Sequence, residues 1–131
     1  MGALASFGAL IALAITPAQG AVPTGFTHAQ VASGLIDPTD IEFAPGGRQF
    51  VAEEAGKLLI AKPHGTLTIF LDILSKVDAT GERGLMGVAF DPNFATNHFV
   101  YLQYIRKAIA TTSIHNRVSR VIVNGGSCCR A

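Results

Sequence analysis

The segment with the densest potential for chemistry is Val77-Asp78-Ala79-Thr80-Gly81-Glu82-Arg83-Gly84-Leu85-Met86-Gly87. Its three glycines let the backbone turn tightly and approach a ligand closely. Between two of them stand Glu82 and Arg83, a carboxylate and a guanidinium that can hydrogen-bond hydroxyls or anions. Two roles fit this pattern: a polar rim that holds a small polar ligand, or a Glu–Arg pair that ties down its own loop. Residue types alone leave both open.

The other reactive side chains are dispersed. His28, His64, His98 and His115 stand singly, and all four read as structural or solvated. Asp37 and Asp91 each precede a proline, which marks a turn before it marks a ligand, and neither they nor Asp40 suggest a metal site. Glu42 alternates with Ile41 and Phe43 and so faces the other side of its strand. Cys128 and Cys129 are adjacent, a spacing that rarely allows an unstrained disulfide, and no Cys-x-x-Cys occurs. They read as part of an incidental tail.

The bulk properties narrow the class. At 131 residues the length suits one modest domain, and 49% hydrophobic residues with 15% charged ones argue against disorder. A net charge of +1 gives no electrostatic case for nucleic acid or an anionic membrane surface. No Asp, Glu, Lys or Arg occurs before Asp37, and no acid follows Asp91, so the last part carries only Arg106, Lys107, Arg117, Arg120 and Arg130. Scattered arginine on strand edges accounts for that asymmetry. Residues 1–20 read as a cleaved signal peptide: the apolar run 4–15 is too short to span a bilayer, Pro17 breaks it, and small residues follow. The mature chain is then exported, periplasmic or extracellular, with no stable membrane span.

Positioning the loop falls to short strands. From Gly25 onward, apolar runs alternate with Pro, Gly, Asn and Asp, and helical periodicity is not sustained. The expected strands are 27–32, 39–43, 49–53, 57–61, 67–71, 85–90, 99–104 and 118–123. A repeat is visible: Ile41-Glu42-Phe43-Ala44-Pro45 precedes a turn and Phe50-Val51, and Val88-Ala89-Phe90-Asp91-Pro92 precedes a turn and Phe99-Val100. Phe43 to Phe90 is 47 positions. A four-stranded unit at this period is the size of a propeller blade, and roughly four to eight blades close a ring. The fold class is therefore all-β: an incomplete β-propeller, with one whole blade and most of a second. In that geometry the loops 35–40 and 75–84 share a face with the connections 53–56 and 106–116, where ligands bind. The turns 45–48 and 92–98 lie on the opposite face.

The stretches Asp37-Pro38-Thr39-Asp40-Ile41-Glu42-Phe43-Ala44-Pro45-Gly46-Gly47-Arg48, 81–97 and 116–120 resemble the glucose/sorbosone dehydrogenase family, and 81–97 is the most specific of them. The resemblance runs from about residue 34 to 124, so residues 21–124 are read as the N-terminal part of the propeller and 125–131 as an unmatched tail. It implies a six-bladed propeller that uses pyrroloquinoline quinone with calcium, oxidises the anomeric carbon of an aldose and passes electrons to an external acceptor. Within the family's Gly-x-x-Gly-Leu motif, the residue after the first Gly faces the quinone or sugar; that position here is Glu82, which with Arg83 becomes the expected cofactor- or substrate-binding pair. The family's histidine base lies in a segment that none of the four histidines matches, so no catalytic residue is assigned. The quinone clamp and calcium ligands would lie beyond Ala131, and the chain by itself is expected to be inactive. A non-catalytic extracellular binding module of the same propeller family is the alternative.

Overall fold

A computed structural model describes residues 22–123; the expected signal peptide (1–20) and Cys128 and Cys129 lie outside them. Seven strands follow one another: β1 (Pro38–Phe43), β2 (Gln49–Glu53), β3 (Lys57–Ala61), β4 (Leu67–Asp72), β5 (Leu85–Phe90), β6 (Phe99–Arg106) and β7 (His115–Ile122). They form two antiparallel up-and-down sheets, β1-β2-β3-β4 and β5-β6-β7. The chain is almost entirely β, and the two sheets do not close on each other. The only helical elements described are a 3-10 turn at Pro63–Gly65 and α1 (Phe94–Asn97), both inside inter-strand turns.

Alternation within the strands decides which face each sheet buries. One face of the first sheet contributes Phe50, Ala52, Leu58 and Phe70 to a buried cluster that also contains Leu85, Val88, Val100, Leu102 and Val121 of the second. Phe50 is 0% exposed and lies at its centre. Its ring meets Phe70 edge-on at 4.9 Å and Phe90 at 4.8 Å, and Phe90 in turn meets Phe94 of α1 at 4.9 Å. These aromatics carry the contact from the outer strand of one sheet to the turn of the other. The opposite face of the first sheet is less covered: across the register Ile41–Val51–Leu59–Ile69, the two inner residues are buried and the two outer ones half exposed.

Three expectations need correction. Residues 27–32 form no strand. A strand needs a ladder partner, and among the described residues the only hydrogen bonds tying residues 22–36 are Phe26 N–H to Pro23 O and Ile36 N–H to Glu53 Oε1. The last strand begins at His115 rather than Val118, because β6 runs on to Arg106 and pairs it with His115. The connection expected at 106–116 shrinks to 107–114.

The repeat also has a different register from the one its letters suggest. Phe43 pairs with Gln49, whereas its counterpart Phe90 pairs with Val100. The residue equivalent to Phe50 is thus Tyr101, not Phe99. The second turn is longer and folds its extra residues into α1, which moves Phe99 from the core to a half-buried site beneath the Arg120 guanidinium, 4.2 Å from the ring centroid.

Phe50→Ala is expected to cost about 3–5 kcal/mol, the usual range for deleting a core aromatic ring. Phe99→Ala should cost far less. Denaturant unfolding of both variants checks this; equal losses would mean that the inter-sheet cluster is not where stability resides.

Candidate functional site

The loop between β4 and β5 is bound on two sides. Toward the first sheet, Leu85 N–H donates to Glu54 O and Ile73 N–H to Gly56 O, both in the β2–β3 turn. Toward the second, Asp78 N–H donates to Ile105 O, Ile105 N–H to Gly84 O and Lys107 N–H to Lys76 O. Residues 73–84, the β2–β3 turn and the end of β6 therefore share one end of the structure, as propeller geometry requires. Glu54 N–H donates to Asp37 O and draws the entry to β1 into the same end.

Gly84 is what permits this close approach. Its φ is +146°, and a Cβ there would fall 2.6 Å from the Glu54 carbonyl oxygen. A larger residue could adopt neither the backbone angle nor the contact.

The strands themselves are joined side by side by two side chains of β1. Thr39 Oγ1 donates to Leu85 O at 2.7 Å, and Asp40 Oδ2 accepts from Val88 N–H at 2.8 Å. Both span from the first sheet to the backbone of β5, so Asp40 serves as an inter-sheet tie. Glu53, 4% exposed, accepts the Ile36 N–H at 2.8 Å and so anchors the approach to β1.

Glu82 and Arg83 sit at the exposed crest of the loop. They do not pair with each other. Arg83 Nη1 donates to Asp78 Oδ2 at 3.0 Å, and Asp78 Oδ1 accepts Thr80 N–H at 3.1 Å. Asp78, 8% exposed, is therefore the residue that organises the crest, and it leaves Glu82 without a hydrogen-bond or ion-pair partner among the described residues. The Thr80 side chain and amide, opposed by partial burial and helped by the Arg83 guanidinium, hold the Asp78 carboxyl below the usual carboxylate range. Sequence reasoning passed over Asp78, although Asp-Ala-Thr is the spacing at which a carboxylate captures the amide two residues on.

The remaining candidates lie elsewhere. Asp91, at the opposite end, accepts hydrogen bonds from Asn97 Nδ2, Asn93 N–H and Tyr101 Oη. Those bonds, Asn97 first, lower its pKa and raise that of the Tyr101 phenol. It builds a turn. His64 and His98 have positive φ in turns at that same end, and His115 Nδ1 lies 2.8 Å from Ser113 O. A concavity of about 830 Å³ is also there, bordered by Arg48, Lys62 and His64 beside residues 30–33. It is far in the chain's layout from the Glu82 crest, and it brings no carboxylate to its wall. No cluster of three or more His, Cys, Asp or Glu able to hold a metal occurs among the described residues.

Comparison with known proteins adds a second line of observation. The sequence profile of the family described as Glucose / Sorbosone dehydrogenase matches residues 35–128. Quinoprotein glucose dehydrogenase B of Acinetobacter calcoaceticus is 30% identical over 104 residues, taking in 76% of this chain and 22% of that protein. Hedgehog-interacting protein of Mus musculus is 33% identical over 105 residues, 71% of this chain and 15% of that protein. Among solved structures, the PQQ-bound form of an aldose sugar dehydrogenase from Streptomyces coelicolor superposes with a TM-score of 0.66 at 26% identity, covering 79% of this chain and 30% of that one. The apo form of the soluble aldose sugar dehydrogenase of Escherichia coli, at 21% identity and a TM-score of 0.61, shares the fold over 72% of this chain and 27% of its own. The chain thus spans less than a third of each of these relatives.

The crest should be pH-sensitive in a defined direction. Because the folded Asp78 pKa is depressed, its contribution is complete above the unfolded value of about 3.9 and is lost as pH falls through the lowered folded value. The protection of the Thr80 amide, the slowing of its exchange relative to the unfolded chain at the same pH, is expected to fall only in that acid range. Asp78→Ala should lower that protection at neutral pH as well, and unchanged protection in this variant would remove Asp78 from the role assigned to it.

Proposed function

Since this chain belongs to the glucose/sorbosone dehydrogenase family, we propose that it is a segment of a quinone-dependent sugar dehydrogenase. In this reading residues 21–124 supply the first blade and most of the second of a six-bladed propeller, 125–131 form a tail, and 1–20 direct export to the periplasm or cell exterior. The complete protein oxidises the anomeric carbon of an aldose and passes the electrons to an external acceptor. The observation that carries this is the β4–β5 loop. Its last residues open the most family-specific stretch of the sequence, 81–97, and the loop is hydrogen-bonded into the end where the ligand-face turns of both sheets meet.

Within that loop the roles divide. Glu82 is the residue offered to a ligand, its carboxylate able to accept hydrogen bonds from sugar or cofactor hydroxyls. Arg83, already engaged by Asp78, keeps donors in reserve for an anionic group while fixing the crest. The described residues fit part of the rim of a pyrroloquinoline quinone site and do not fit the rest. They include no calcium ligand set. Glu82 and Arg83 therefore supply binding and orientation, and the proton-accepting base belongs to residues this chain does not contain. Among the described residues no helix is long and apolar enough to cross a membrane.

A second reading, a non-catalytic extracellular binding module, is favoured by the similarity to hedgehog-interacting protein of Mus musculus and Homo sapiens, 33% and 32% identical. The coding sequence beyond Ala131 separates the two. A histidine before a glycine-rich strand, with a downstream basic cluster, supports the dehydrogenase; a propeller lacking both supports the binding module.

Given quinone, calcium, glucose and an electron-accepting dye, the 131-residue chain is expected to show no turnover, and sustained dye reduction would refute the assignment of the base to missing blades. In a full-length protein, Glu82→Gln should raise KM or weaken quinone binding by about tenfold, the worth of one hydrogen bond to a charged group. An unchanged KM and quinone affinity would exclude Glu82 from the site.

A further inference from the structure

Asp78 makes two kinds of bond, and only one of them holds the loop. Its N–H donates to Ile105 O at 2.8 Å and its Oδ1 accepts Thr80 N–H at 3.1 Å, which together fix the backbone of residues 78–80 against β6. The second carboxylate oxygen goes to Arg83 Nη1 at 3.0 Å, although the Arg83 side chain is 45% exposed. An ion pair with so exposed a guanidinium adds little to stability, because water screens it. Its consequence lies in what it does to Arg83.

Bound to Asp78, Arg83 gives up one N–H donor and its net charge. The donors it keeps in reserve still reach a ligand, but with no uncompensated positive charge behind them. Glu82, exposed and without an ion-pair partner among the described residues, adds a negative charge beside them. The crest therefore carries one negative charge in excess. Among the described residues, Arg83 is the only charged group whose field bears on the Asp78 carboxyl, so Lys76, Arg106 and Lys107 do not enter this balance. Lys107 Nζ donates to Leu74 O instead.

We infer that Asp78 is a positioning residue that sets the charge preference of the crest for its sugar. By holding and compensating Arg83, it lets the guanidinium hydrogen-bond the hydroxyls of an uncharged aldose and withholds the attraction that would favour an aldose bearing a carboxylate. Specificity here comes from a group placed against the wrong ligand as much as from contacts to the right one. The inference rests on the sugar-dehydrogenase reading and adds to it a discrimination between a neutral aldose and its uronate. A loop brace alone does not account for the arrangement, since the Ile105 and Thr80 bonds already fix the backbone and the Arg83 bond is the one they leave unexplained.

The test compares glucose with glucuronate, which share the anomeric centre and differ in one charge, as substrates of the complete enzyme. Asp78→Asn keeps an oxygen for the Thr80 amide and removes the charge. It should raise the kcat/KM ratio of glucuronate to glucose by about three- to tenfold, the effect of one unit charge several ångströms from a partly solvated ligand. The gain should appear in KM and shrink at high salt. Arg83→Leu should move the ratio the other way, and a loop that is merely disrupted cannot give opposite changes in the two variants. An unchanged ratio in Asp78→Asn, or a fall in both variants, overturns the inference. A wild-type enzyme that oxidises no aldose, neutral or acidic, overturns the dehydrogenase reading instead. The charge balance is then read without turnover, by titrating the 131-residue chain with acetate and following the Arg83 side-chain NMR signals. Asp78→Asn should bind acetate more tightly than wild type, and equal affinity would overturn the inference by itself.

Discussion

Everything in this structure depends on one requirement: a β-sheet with two apolar faces must have both of them covered. Phe50, between Phe70 of its own sheet and Phe90 of the next, meets that requirement on one side. Burying an aromatic ring contributes about 2–3 kcal/mol by area alone, more than any single polar contact described here. The sheets are therefore held face to face by apolar packing, and the hydrogen bonds of Thr39 and Asp40 set how they align rather than whether they associate.

That packing also explains why the candidate site lies where it does. With the faces in contact, the connection from the outer strand of one sheet to the inner strand of the next must cross the end of the pair. Residues 73–84 make that crossing, and their amides find partners in turns from both sheets. Gly84 allows the backbone to pass against Glu54, and Asp78 gathers the crest around itself. The exposed carboxylate of Glu82 thus stands on a crest whose flanking backbone is hydrogen-bonded to turns of both sheets.

Much of the fold was legible beforehand, and for a definable reason. Strands β1 to β6 fall within a residue or two of their expected positions because each combines an alternating pattern with a turn signal at its end. Residues 27–32 show the same alternation and form no strand, since a strand is a relation between two segments and local pattern reports on only one. The repeat period was legible, but its register was not. Phe-Val recurs in the letters, whereas the ladder pairs Phe43 with Gln49 and Phe90 with Val100. At the site, the loop with Glu82 and Arg83 stood out by composition. That Arg83 pairs with Asp78 instead of Glu82 could not be read from adjacency, because the bends at residues 80–84, not sequence spacing, bring the two groups together.

What the sequence alone determined is the set of quantities that depend on local order: the β class, the blade-sized repeat, the glycine-rich loop and the basic character of the last strand. These follow from residue-by-residue conformational preference and from the period of the apolar pattern. Tertiary structure alone decided which faces meet, which turn absorbs an insertion, and which carboxylate holds the guanidinium. Each of those is a contact between segments distant in the chain, and its free energy exists only once both segments are in place.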